Sequence, residues 1–143
     1  MAALPNRILV PVDGSENSKR ATEYALELAQ KLGSSLVLLH VVEIPASSYR
    51  YRWIARDVIQ VLEESGWKLL GGFEEMAKSK GVSLEPVLSI GDPVTQILLI
   101  SKKKSCDCII MGKRGLGRIQ RMLIGSVSDR VIKLSDKPVI IVK

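Results

Sequence analysis

Three glycines and a serine stand at a spacing that suits an anion: Gly112, Gly115, nine intervening residues, then Gly125-Ser126. Glycine lets main-chain N–H groups come close to a phosphate. A helix start offers further N–H groups and a partial positive charge. The segment follows the apolar run Cys108-Ile-Ile-Met111 and precedes the amphipathic run Val127 to Leu134, so a strand ends in glycines and a helix opens at a Gly-Ser step. The same residues also describe an ordinary loop with a helix cap, with Ser126 capping and Asp129 placed three residues on as in a capping box. The local pattern does not separate the two readings. Asp13 closes another apolar run and adds a carboxylate, which can hold a hard cation or close an Asx turn with Gly14. Lys113, Arg114, Arg118 and Arg121 bring cations to the glycine segment, and an arginine can contact phosphate bidentately.

These residues need elements to position them. Arg7 to Val12 reads as a buried strand that runs into Asp13-Gly14-Ser15, with Ser15 as the cap of the next helix. Glu16 to Leu32 carries Ala21, Tyr24, Ala25, Leu28, Ala29 and Leu32 at helical steps, and Gly33 ends it. Ser35 to Val42 is a second apolar strand; His40 within it reads as a satisfied strand histidine. Ile54 to Lys80 predicts one long helix packed by Trp53 and Trp67, with an apolar stripe that includes Val58, Val61, Leu70 and Phe73. Its glycines Gly66, Gly71 and Gly72 argue against continuity. Val82 to Ile90, Cys106 to Met111 and Pro138 to Val142 complete the strands. Val94 to Lys103, capped by Asp92 with Pro93 in its first turn, and Ser126 to Leu134 complete the helices. Strands alternating with helices predict a parallel α/β sheet with right-handed crossovers, whose ligand sits at the carboxyl ends of strands where strand order reverses.

The chain has 143 residues, the length of one domain spanning 1–143, with 46% apolar and 25% charged residues. No apolar run approaches the roughly 20 residues that cross a bilayer, and Met1 to Val10 is a poor signal peptide, so a cytoplasmic protein without membrane contact is expected. Cys106 and Cys108 stand two apart on the fourth strand, facing the same way as reduced core thiols. The formal charge is +6, and between Ser101 and Lys143 eleven Lys and Arg stand against three Asp. Polyanions such as nucleic acid are one reason for such an excess and bound phosphates another; neither the arginine spacing nor any aromatic interleaving resembles a nucleic-acid module, and nucleic acid is not expected as a partner. Two other nucleotide motifs are excluded. There is no G-x-x-x-x-G-K-[ST], and Gly115-Leu-Gly117-Arg-Ile-Gln120 lacks the third glycine of a dinucleotide fold.

From end to end the sequence resembles the universal stress protein family, in its ATP-binding branch. The resemblance is carried by the opening ILVPVDGS, the LLHVV of the second strand, Gly91-Asp92-Pro93, the closing KPVIIVK, and the match of Gly112, Gly115, Gly125 and Ser126 to G-x-x-G, nine residues, G-[ST]. It implies a Rossmann-like three-layer α/β sandwich with five parallel strands in order 3-2-1-4-5. It further implies a homodimer through the last strand, Pro138 to Val142, and ATP as ligand. The implied site comprises Pro11, Val12 and Val41 around the adenine, and Asp13 near ribose and phosphates through Mg²⁺ or Mn²⁺. Met111, Gly112, Arg114, Gly115, Gly125, Ser126 and Val127 complete it along the glycine loop. Arg114 replaces a histidine that many relatives carry. The expected role is a nucleotide-dependent stress-response regulator or chaperone-like partner of an unidentified protein. Two alternatives stand beside it: a slow ATP hydrolase or adenylate-transferring enzyme, and a dimeric scaffold that binds no nucleotide. The loop with Tyr49 and Tyr51 is a candidate partner surface.

Overall fold

The computed structural model describes residues 4–43, 52–113 and 124–143, with the backbone alone for 52–55. In chain order the elements are β1 (Arg7–Pro11), α1 (Glu16–Leu32), β2 (Ser35–Val42), α2 (Arg52–Gly71), α3 (Glu74–Ser79), β3 (Leu84–Ile90), α4 (Pro93–Lys103), β4 (Cys108–Gly112), α5 (Ser126–Leu134) and β5 (Val139–Val142). The five strands form one sheet in the order β3-β2-β1-β4-β5, and every pairing is parallel. This is the sandwich and strand order expected from the sequence.

Central strands bury both faces, which is why they read as unbroken apolar runs. Side chains alternate along β1: Ile8, Val10 and Val12 enter one core with Ala21, Ala25, Leu26 and Ala29 of α1, Leu70 of α2 and Ala77 of α3. Leu9 enters the other core with Val94, Ile97 and Ile100 of α4 and Val131 of α5. Helices α1, α2 and α3 thus cover one face of the sheet, and α4 and α5 the other. The ends of α1 and α4 follow local chemistry. Ser15 accepts from the Ser18 N–H at the start of α1 and Gly33 closes it; Asp92 accepts from the Thr95 N–H before α4, with Pro93 in its first turn.

Several sequence expectations are corrected. The long helix divides at Gly71-Gly72, where two poor helix formers adjoin and Phe73 turns into the core, starting α3. On α2, Val58 and Val61 are exposed, and Trp67 is 49% exposed, so only about half of it is covered; Tyr24 of α1 is also exposed. Strand β1 ends at Pro11, β3 starts at Leu84 and β4 at Cys108. Cys106 therefore precedes the strand, so alternation along a strand does not relate the two cysteines. They lie in different cores, Cys108 under α1 and Cys106 under α4, not on one side. Trp53 and the Tyr49–Tyr51 surface lie outside the described side chains.

Both thiols are buried, and burial pushes both above the usual cysteine range. The thiolate is the reactive form. Titration with a thiol-specific disulfide reagent at mildly alkaline pH is therefore expected to find no reactive thiol in native protein and two after unfolding. A thiol that reacts before unfolding would contradict this packing.

Candidate functional site

Strand order reverses between β1 and β4: from β1 the chain moves to β2 and β3, and from β4 it moves to β5. A crevice forms at such a point beyond the carboxyl ends of the strands. Pro11, Val12 and Asp13 stand there on β1 and its turn, Val41 near the end of β2, Met111 and Gly112 at the end of β4, and Gly125, Ser126 and Val127 at the start of α5. The topology thus gathers the expected residues at one end of the sheet. Arg114, Gly115, Arg118 and Arg121 lie outside the described residues.

The two stems of the glycine loop meet. The Lys113 N–H donates to the Val142 carbonyl at 3.0 Å, extending the β4–β5 ladder, and the Gly125 N–H donates to the Lys113 carbonyl at 2.8 Å. The Ser128 hydroxyl donates to the Gly112 carbonyl at 2.9 Å from inside α5. Gly112 itself touches α1: a Cβ there would lie 2.7 Å from the main-chain carbon and oxygen of Asn17. Its glycine is thus explained by helix packing, a reason the sequence reading did not identify.

Gly125 is the N-cap of α5 and makes no side-chain capping bond. Ser126 is instead the first helical residue and is exposed, and Asp129 pairs with Lys133 at 2.9 Å. The expected Ser126–Asp129 capping box is therefore not formed, because the helix starts one residue earlier than that motif requires. The first N–H groups of any α-helix have no partner within the helix, and the dipole at such an end favours an anion.

Asp13 lies in a tight turn. Its Oδ1 accepts from the Ser15 N–H at 3.0 Å, and its own N–H reaches the Ser18 hydroxyl at 3.4 Å. This is the Asx turn that the sequence allowed, with Gly14 at φ 88°. The Val12 main chain is engaged on both sides: its N–H donates to the Leu39 carbonyl at 2.8 Å, and its carbonyl accepts from His40 Nδ1 at 2.8 Å. His40 is thus a satisfied strand histidine, as expected, and it touches a site residue, which no sequence spacing signalled. Val41 and Val127 are half-buried and Met111 is buried, all packed on the α4–α5 core.

Beside this end, Asp92 at the start of α4 faces Arg130 of α5 at 3.9 Å. Hydrogen bonds from the Thr95 N–H and hydroxyl hold the Asp92 carboxyl below its usual range, and Arg130 adds to this. An open groove of about 650 Å³ among Arg20, Tyr24, Met76, Lys80 and Val142 lies on the α1–α3 side, and none of the expected nucleotide residues lines it.

The model of the universal stress protein family matches residues 5–143. The universal stress protein YxiE of Bacillus subtilis is 34% identical over 146 aligned positions, covering 96% of this chain and 99% of YxiE. The solved structure of MJ0577, a universal stress protein of Methanocaldococcus jannaschii, superposes with a TM-score of 0.88 at 27% identity, covering 96% of this chain and 95% of that one. A universal stress protein solved in complex with cAMP has the same fold, with a TM-score of 0.76 at 24% identity and coverage of 99% of both chains.

The Gly112–Asn17 contact leaves no room for a methyl group. Gly112→Ala is expected to cost about 1–3 kcal/mol, the usual penalty of overpacking a rigid contact. Urea unfolding of the two proteins checks this; equal midpoints would mean that α1 is not held against β4.

Proposed function

The chain belongs to the universal stress protein family, and we propose that it binds ATP at the β1/β4 crevice and acts as a nucleotide-dependent stress regulator or chaperone-like partner. One observation carries this reading. The family's glycine spacing brings Gly112 and Gly125 together through Lys113 at the mouth of α5, at the reversal of strand order. The triphosphate lies on the glycine loop and the first N–H groups of α5, and the adenine lies toward Pro11 and Val41. The relative that holds cAMP supports an adenine ligand. The basic excess of the second half supplies long-range attraction for a polyanion.

Mg²⁺ or Mn²⁺ fits as a cation that enters with the nucleotide. Among the described residues no group of three or more His, Cys, Asp or Glu is placed to hold a metal. Mg²⁺ commonly rests on one or two carboxylates together with phosphate oxygens, and Asp13 supplies one. Binding is favoured over turnover because hydrolysis needs a positioned base. Asp13 is tied into its turn and the Nδ1 of His40 is engaged with Val12.

Residues Val139–Val142 form an edge strand paired on one side to β4. An apolar edge invites pairing with another chain, and two copies related by a two-fold axis would cover both edges. We place the homodimer interface there. Among the described residues no helix is long and apolar enough to cross a membrane.

Calorimetry with ATP and AMP, with and without Mg²⁺, tests the site. Gly125→Val is expected to weaken ATP by about one to two decades, equivalent to a lost charge-assisted hydrogen bond of roughly 1.5–3 kcal/mol, and AMP by less. Equal losses would remove the phosphate role of the loop. Chelation is expected to weaken ATP in the wild type and to matter little in Asp13→Asn; an unchanged wild-type affinity would refute the metal role of Asp13. Light scattering tests assembly. The wild type is expected to give a dimer mass that Ile140→Lys lowers, with thermal unfolding measured alongside to confirm that the variant is folded, and a monomeric wild type would exclude the interface.

A further inference from the structure

We infer that His40, the single histidine of the chain, is a positioning residue for the nucleotide site: its Nδ1–H fixes the Val12–Asp13 peptide, and α2 seats its ring through Gly66. The inference rests on the nucleotide reading above. A carbonyl oxygen only accepts hydrogen bonds, so the 2.8 Å contact between His40 Nδ1 and the Val12 oxygen requires the proton on Nδ1. The neutral ring therefore carries Nδ1–H and leaves Nε2 as an acceptor.

The bonded carbonyl belongs to a planar peptide whose other end is the Asp13 nitrogen. Holding its oxygen orients that plane and so places the Asp13 Cα. On the far side, the Val12 N–H is held by the Leu39 carbonyl at 2.8 Å. Beyond Asp13, the turn is tied to α1 through Ser15 and Ser18. Asp13 is thus fixed between two anchors: β2 before it and α1 after it. His40 supplies the only side chain of the β2 anchor among the described residues.

The ring is itself located by a close approach. A Cβ on Gly66 would stand 2.7 Å from His40 Cδ2, 3.4 Å from Nε2 and 2.6 Å from Leu88 Cδ1. Leu88 is the β3 partner of His40 in the ladder. Helix α2 therefore presses its main chain onto the imidazole, and only glycine permits that distance. A contact path runs from α2 through Gly66 and His40 to the Asp13 turn.

The test compares wild type, His40→Asn, His40→Leu and Gly66→Ala by calorimetry with ATP and Mg²⁺, each with its thermal unfolding midpoint. The Asn Nδ2 occupies the place of the His Nδ1 and keeps the donor, whereas Leu keeps the bulk alone. His40→Leu is expected to weaken ATP about three- to tenfold, the worth of one net hydrogen bond, and His40→Asn is expected to stay within about twofold of wild type. Gly66→Ala is expected to weaken ATP as His40→Leu does. Long-range ¹H–¹⁵N correlations of the single imidazole, at a pH of about 8 where histidine is ordinarily neutral, are expected to show the Nδ1-protonated tautomer and to shift on addition of ATP. An Nε2-protonated ring overturns the inference. So do a His40→Leu variant that binds ATP as wild type does and a His40→Asn variant that fails to rescue binding. A wild-type protein that binds no ATP overturns the nucleotide reading itself and the positioning role with it. That outcome is distinct from the failure of His40 alone, in which wild type binds and the variants bind equally.

Discussion

The end of β4 and the start of α1 touch main chain to main chain, and much of the molecule is set by that contact. A methyl group on Gly112 would lie 2.7 Å from the carbonyl of Asn17. Because α1 begins where β1 ends, this contact fixes the distance between the two strands' carboxyl ends. The carbonyl of Gly112 holds Ser128 of α5, and the next residue, Lys113, holds β5 with its N–H and Gly125 with its carbonyl. Two consecutive residues thus set the placement of α1, α5, β5 and the far stem of the glycine loop. Close-packed interiors yield little to added volume, so the seam is rigid where the crevice opens.

Helix ends divide the work at this rim. Side chains cap α1 and α4, through Ser15 and Asp92. Gly125, lacking a side chain, gives α5 no such cap, and a helix start of this kind carries the positive dipole end that favours an anionic partner. The Asp92–Arg130 pair joins the starts of α4 and α5, but both side chains are about half exposed and the contact is 3.9 Å. Such a pair contributes little to stability; it sets the charge beside the crevice more than it braces the helices.

What the sequence revealed tracks how local the cause is. Helix α1, strand β2 and helix α5 have the bounds that their residues predict, because the Ser15 cap, the Gly33 stop and unbroken apolar runs act within a few residues. The division of α2 from α3 was signalled by Gly71-Gly72, yet the side that α2 buries was not. Val58 and Val61 keep helical spacing and still face solvent, because the direction of a stripe depends on which strands lie beneath it. The cysteines show the same limit. Their two-residue spacing implies one side only if both lie within a strand, and β4 begins at the second of them. At the site, the glycine spacing was legible as a motif, whereas the reason for Gly112 lies in residue 17 of another element. The contact between His40 and Val12 joins two residues 28 positions apart, and nothing in either segment alone encodes it.

The crevice belongs to both layers of the sandwich. Met111, Val41 and Val127 pack with the α4–α5 core, while Val12 packs with the α1–α3 core. Gly112 and His40 reach helices of that second layer directly, against Asn17 of α1 and Gly66 of α2. A shift of the main chain at the crevice must therefore be accommodated on both faces of the sheet, most tightly where Gly112 meets the Asn17 main chain. The residues exposed along α2, among them Val58, Val61 and Trp67, ride on the same helix whose Gly66 seats the imidazole.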